Sequence, residues 1–232
     1  MVALSDSTKF TSQSQPQLPT SSLLSRRIRS VISEVNSTNA ERVAAELVSW
    51  IGSDGEPDPS LLAFVVDTVL EDVTERLNRN PLDLARLSYG MSAAVPAYRE
   101  VLESQLQSQF LESVQFLANH RTAEQGSWPE LVTLVGFAGE LCATKVIHPT
   151  TLLATYLHHL SRLSDRSELE LEATCTLFKA AGSRLWDDPH TNEVLIREVQ
   201  SLQEIHDQGK VSSLLSKKIA VGGSRSSLDS WD

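Results

Sequence analysis

Six helix starts are written into this chain in side-chain chemistry alone. Asp58-Pro59, Asn80-Pro81 and Asp188-Pro189 each place a side chain that accepts from orphan amides directly before a proline suited to the first helical position. Thr38-Asn39-Ala40-Glu41, Ser127-Trp128-Pro129-Glu130 and Ser167-Glu168-Leu169-Glu170 follow capping-box spacing, in which hydroxyl and carboxylate satisfy amides reciprocally. Behind these starts apolar residues recur at three and four. Leu62, Val66, Val69, Val73 and Leu77 form one stripe, and Tyr98, Leu102, Leu106, Phe110, Val114 and Leu117 a longer one, with Glu and Gln opposite. No alternating run of Val, Ile, Thr and aromatic residues bounded by hairpin turns occurs, so a sheet is not expected.

The spacing predicts ten helices, at about 22–35, 39–51, 60–79, 82–95, 97–118, 128–146, 150–163, 167–184, 191–208 and 211–221. Most connections are short enough to force antiparallel neighbours. The fold class expected is therefore all-α, an alpha-alpha superhelix of five stacked hairpins in the manner of HEAT repeats. Residues 1–21, rich in Ser, Thr, Gln and Pro, read as a disordered N-terminal arm, 22–221 as the helical domain, and 222–232 as a flexible C-terminal tail.

One stretch, Gly136-Phe137-Ala138-Gly139-Glu140-Leu141-Cys142, runs against helix propensity, because each glycine costs roughly 1 kcal/mol relative to alanine inside a helix. The two glycines lie one turn apart on nearly the same face, which lets another helix approach closely. Phe137 and Leu141 are expected in the core.

The chemistry available narrows the function. With 20 Lys and Arg against 30 Asp and Glu, the net charge of −10 argues against nonspecific nucleic-acid binding as the main activity. Basic residues concentrate near the ends, at Arg26, Arg27 and Arg29 and at Lys210, Lys217, Lys218 and Arg225. Cys142 and Cys175 fall on apolar faces and read as buried small hydrophobes. Glycines 136 and 139 are followed by no GKS or GKT, and no G-x-S-x-G or H-E-x-x-H occurs. His158 and His159 point about 100° apart on one helix, which disfavours a shared metal. The acidic run Glu168, Glu170, Glu172 suits a helix N-terminus. No catalysis, cofactor or metal is expected. No stretch approaches the roughly 20 apolar residues that cross a bilayer, and MVALSDSTKF turns polar too early for a secretory leader, so a cytoplasmic (or nuclear) protein without a membrane partner is expected.

Several motifs in one order carry a resemblance. Phe137-Ala138-Gly139-Glu140-Leu141-Cys142, with Lys145-Val146-Ile147 after it, is close to F-I-G-E-L-(F/Y) and the turn that follows. Arg26-Arg27-Ile28-Arg29-Ser30-Val31-Ile32 is similar to R-x-V-R-x-I-L, and Asn80-Pro81 through Tyr89 and Met91 to an N/P-rich turn leading into a helix with Tyr-Ala. Tyr98-Arg99-Glu100-Val101-Leu102 with Gln105 to Phe110, Leu169 to Gly182 with Cys175 and Leu177, and Val211-Ser212-Ser213 with Leu214, Leu215, Lys217 and Lys218 follow in order. Together, over about 22–221, they resemble the middle domain of eukaryotic translation initiation factor 4 gamma.

The resemblance implies five HEAT-type hairpins and an mRNA-associated scaffold. It implies a DEAD-box RNA helicase of the initiation factor 4A type as partner, held along helix ends and loops, with RNA as a second partner. On this chain the helicase contacts fall to Glu140, Lys145, Arg184, Asp187 and Asp188, and the RNA contacts to Arg26, Arg27, Arg29, Lys217 and Lys218. A monomer is expected. The alternative is a helical adaptor without helicase or RNA, regulated through Ser226, Ser227 and Ser230 in the tail.

Overall fold

The structure, a computed structural model, describes residues 22–52, 57–76, 80–119, 128–161 and 168–207. Nine helices occur among them, with no strand: α1 Ser22–Ser33, α2 Ala40–Ile51, α3 Pro59–Glu75, α4 Pro81–Ala94, α5 Pro96–Asn119 and α6 Trp128–Ala143. Helix α7 runs as Pro149–Leu152, a π-helical turn Leu153–Leu157, and His158–Ser161. Helix α8 spans Glu168–Ala181, a 3-10 turn follows at Gly182–Leu185, and α9 spans Pro189–Asp207. The expected arm 1–21, the helix 211–221 and the tail 222–232 lie outside the described residues, as do Leu77, Ser127 and Ser167.

Three of the sequence-marked caps form. Asp58 accepts from the amides of Ser60 and Leu61 at 2.9 and 3.2 Å, Asn80 from Leu82 at 3.2 Å, and Asp188 from His190 at 2.9 Å. The box at Thr38 does not. Asn36 Oδ1 takes both the Thr38 amide (3.0 Å) and its hydroxyl (2.6 Å), Asn39 Oδ1 turns back to the Asn36 amide (2.7 Å), and α2 opens at Ala40 without a side-chain cap. Local asparagine turns thus outcompete the capping box. An unforeseen cap is His148, whose Nδ1 accepts from the Thr150 amide at 3.3 Å ahead of Pro149. Helices expected at 60–79, 128–146 and 167–184 end earlier, at Glu75, Ala143 and Ala181.

The helices alternate between two layers. Odd-numbered α1, α3 and α5 stack in sequence, as do even-numbered α2, α4, α6 and α8, and α9 returns against α7 and the 3-10 turn. This is the alpha-alpha superhelix that the sequence spacing predicted. Between the layers lie Ile28, Ile32, Leu47, Leu70, Leu84, Met91, Leu102 and Phe137, all fully buried. The Tyr98 hydroxyl shares a buried hydrogen bond of 3.1 Å with Ser88, joining α5 to α4, and burial pushes the phenol up to about 12. Cys142 and Cys175 are buried and unbridged, and burial pushes the Cys142 thiol up to about 11.

Close approach in the even layer explains the costly glycines. A Cβ on Gly139 of α6 would stand 2.6 Å from the Ala180 Cβ of α8, and one on Gly90 of α4 would stand 2.8 Å from the Ala44 Cβ of α2. Glycine at both positions lets backbones meet where any side chain would hold them apart.

Candidate protein-docking edge

Helix α6 ends in a turn built by its own backbone. The Val146 amide donates to the Leu141 carbonyl (2.8 Å) and the Lys145 amide to that of Cys142 (3.0 Å), with Lys145 at φ 69°. That is a Schellman cap in which a lysine occupies the left-handed position usually given to glycine. The next turn along the same layer, after α8, carries Arg184, Trp186, Asp187 and Asp188, and its 3-10 segment packs on α6. His148 of the first turn and Asp188 of the second approach to 4.0 Å between Nδ1 and Oδ2. The structure therefore brings Glu140 and Lys145 to the same edge as Arg184, Asp187 and Asp188.

Their environments differ. Lys145 and Asp187 are exposed, whereas Glu140 and Arg184 are partly buried and Asp188 is held by its capping bond. The Arg184 Nε is enclosed without a hydrogen-bond partner. Burial raises the Glu140 carboxyl above the ordinary glutamate value, and the charges of Arg86 on α4 and Lys179 on α8 partly offset this. A raised folded-state pKa means that the unfolded chain releases this proton at lower pH, so stability falls as pH climbs through that window. Glu140→Gln is thus expected to melt at a higher temperature than wild type at neutral pH. The two curves should converge below the carboxylate range, which thermal melts at stepped pH would show.

The basic cluster of α1 has other work. Arg27 pairs with Glu46 of α2 at 3.0 Å and lies 4.8 Å over the Trp50 ring; Arg29 pairs with Glu71 of α3 at 3.4 Å and lies 5.5 Å over Phe64. Both tie α1 to its neighbours, by ion pairing and by cation–π contact. Arg26 is exposed, and Lys217 and Lys218 lie outside the described residues.

No group of three or more metal-ligating side chains occurs among the described residues. His158 and His159 meet edge to face with ring centroids 5.8 Å apart, and His159 Nδ1 is 2.6 Å from the Thr155 carbonyl, so that ring is spent on the backbone of its own helix. No helix among the described residues is long and apolar enough to cross a membrane.

Two-layer helical stacks of this kind commonly bind other macromolecules along their faces and edges. The family model described as the MIF4G domain matches residues 25–220. The chain belongs to the MIF4G family. MIF4G domains are helical scaffolds found in translation and RNA-processing proteins, generally without catalysis, and they mediate protein–protein interactions, often with RNA-processing factors. The family match bears out the resemblance at the level of the MIF4G fold, though not that this is the middle domain of the initiation factor itself. No curated protein matches the chain.

Two residues beside this edge escaped the sequence reading as site candidates. Arg86 and the exposed ring of Tyr89, both on α4, face a groove shared with Lys145. A lone arginine on an amphipathic helix carries no local signal. Its position becomes visible only once α4 is stacked between α2 and α6.

Proposed function

We propose that this MIF4G protein is a docking scaffold for a DEAD-box RNA helicase of the initiation factor 4A type, acting in translation or its regulation in the cytoplasm or nucleus. The observation that supports this reading is the shared edge. Glu140 and Lys145 at the end of α6, and Arg184, Asp187 and Asp188 after α8, come from two successive turns brought together by the packing of the 3-10 segment on α6, with His148 and Asp188 approaching to 4.0 Å. An edge of mixed charge can hold two lobes of a partner and bias it toward its closed state, which alters turnover without chemistry on the scaffold. RNA is a secondary partner in this reading. Its contacts rest on Arg26, Arg27, Arg29, Lys217 and Lys218, with Arg27 and Arg29 having to exchange a carboxylate partner for phosphate.

The test is binding of the full chain to a purified helicase of this type, with helicase ATPase as a second readout. Asp187→Lys reverses an exposed charge at a residue that contributes to the turn through its backbone amide, which bonds the Ser183 carbonyl at 3.1 Å. Combined with Glu140→Gln, it is expected to weaken binding by about tenfold or more, roughly 1.4 kcal/mol, while the helical signal is kept. Wild-type protein that neither binds nor stimulates the helicase would leave the adaptor reading in its place.

A further inference from the structure

A groove of about 540 Å³ opens on the even-numbered layer between the start of α2, the middle of α4 and the end of α6. Arg86, Tyr89 and Lys145 line it, with Glu41, Ala143 and Thr144. We propose that it docks a short acidic peptide segment of a partner protein, with an apolar side chain laid on Tyr89 and carboxylates taken by Arg86 and Lys145. This goes beyond the helicase reading and does not rest on it.

Three observations carry the proposal. The first is how the cations are committed. Arg27, Arg29, Arg42, Arg76, Arg99 and Arg197 each have a carboxylate within 3.6 Å. In a chain with 30 acids and 20 basic residues such pairing is favoured, and Arg26 and Arg184, which lack it among the described residues, lie away from this groove. Arg86 and Lys145 have no carboxylate within salt-bridge distance among the described residues, although Arg86 acts on Glu140 at longer range.

The second observation is the backbone at Lys145, which stands at φ 69°. Glycine adopts that conformation freely, and a side chain adopts it only against strain. Nothing in the core holds this lysine, since its side chain is exposed. What the lysine supplies there is a charge at a fixed point on the rim of the groove.

The third is Tyr89, which is 53% exposed on an otherwise well-packed helix. An aromatic ring that shares a groove with two cations outside salt-bridge distance of any described carboxylate suits a ligand with an apolar side chain flanked by negative charge. A peptide fits better than single-stranded RNA. Nucleic acid needs a positive track over several phosphates and a series of stacking faces, whereas this groove offers one aromatic ring and two cations, and the whole chain carries a net charge of −10.

A displayed random-peptide library selected on the full chain, with counter-selection on the Arg86→Glu variant, tests this directly. Selected peptides should carry two or more Asp or Glu beside an aromatic or large aliphatic residue. In ¹H–¹⁵N spectra a synthetic copy should shift the amides of Arg86, Tyr89, Thr144 and Lys145, and Tyr89→Ala should weaken it at least about tenfold. Lys145→Gly separates function from folding, because it relieves the backbone strain. It should raise the melting temperature while weakening the peptide about fivefold or more. The proposal is overturned if no peptide survives counter-selection, if the survivors are basic, or if Lys145→Gly binds as wild type does. It is equally overturned if oligouridylate moves these amides more strongly than the peptide. Lys145 belongs to both surfaces, but Arg86 and Tyr89 lie outside the helicase contacts, so Asp187→Lys should keep peptide binding even where it loses the helicase, and its loss of both would overturn a separate peptide site.

Discussion

Gly139→Ala is expected to destabilise the protein by about 2–3 kcal/mol, even though alanine is the better helix former by roughly 1 kcal/mol. The added methyl would lie 2.6 Å from the Ala180 Cβ, 3.0 Å from the Leu177 carbonyl oxygen and 3.1 Å from the Ala181 amide nitrogen. None of these atoms can rotate aside, so α6 and α8 must separate along the tightest contact of the even layer. Gly136 is the internal control. A Cβ there meets only the Thr176 Cγ2, at 3.2 Å, and a threonine side chain can yield by the few tenths of an ångström required. Gly136→Ala is therefore expected within about 0.5 kcal/mol of wild type, the gain in propensity offsetting the crowding. Thermal or urea unfolding would separate the pair, since each kcal/mol moves the melting temperature by about 2–4 °C in a chain of this size. Equal effects from both substitutions would mean that the glycines serve something other than this helix contact.

The two glycines also mark the limit of what the sequence discloses. That they admit a close neighbour follows from their spacing. Which of them is indispensable depends on Ala180 and Thr176, and no local pattern joins those residues to α6. The same division runs through the rest of the fold. Asp58, Asn80 and Asp188 are legible as caps because their bonding partners lie within three residues. Thr38 fails because Asn36, also local, offers its hydroxyl a better acceptor. His148 escapes notice because a histidine caps through a ring nitrogen that composition does not advertise. At the candidate edge, Glu140 and Lys145 are reached through a motif, and the approach of their turn, through His148, to Asp188 needs the stacked helices. Arg27 and Arg29 read as a free basic cluster in one dimension. Folding also sets each against a carboxylate on a different helix, a pairing that one dimension does not show.

Phe110→Ala should be the most damaging of the changes considered, at about 3–5 kcal/mol. Phe110 is fully buried on α5, and its ring centroid stands 4.7 Å from that of Tyr156, tilted by 52°, and 6.2 Å from His159 edge-on. Tyr156 sits inside the π-helical turn of α7, so the pair pins the widened turn to the preceding hairpin. Truncation forfeits the buried ring and the aromatic contact together, and leaves a cavity beside the Tyr156 ring. A stacked-hairpin fold distributes such damage by neighbourhood, because each unit is stabilised mainly by the next. Hydrogen exchange should therefore accelerate first in α5 and α7, with α2 and α4 retaining more of their protection. The edge should suffer as well, since α7 begins at the His148 cap that meets Asp188. Uniform loss of protection in every helix would show that the stack unfolds as one cooperative block. A variant that keeps wild-type protection in α7 would show that Phe110 is not the pin.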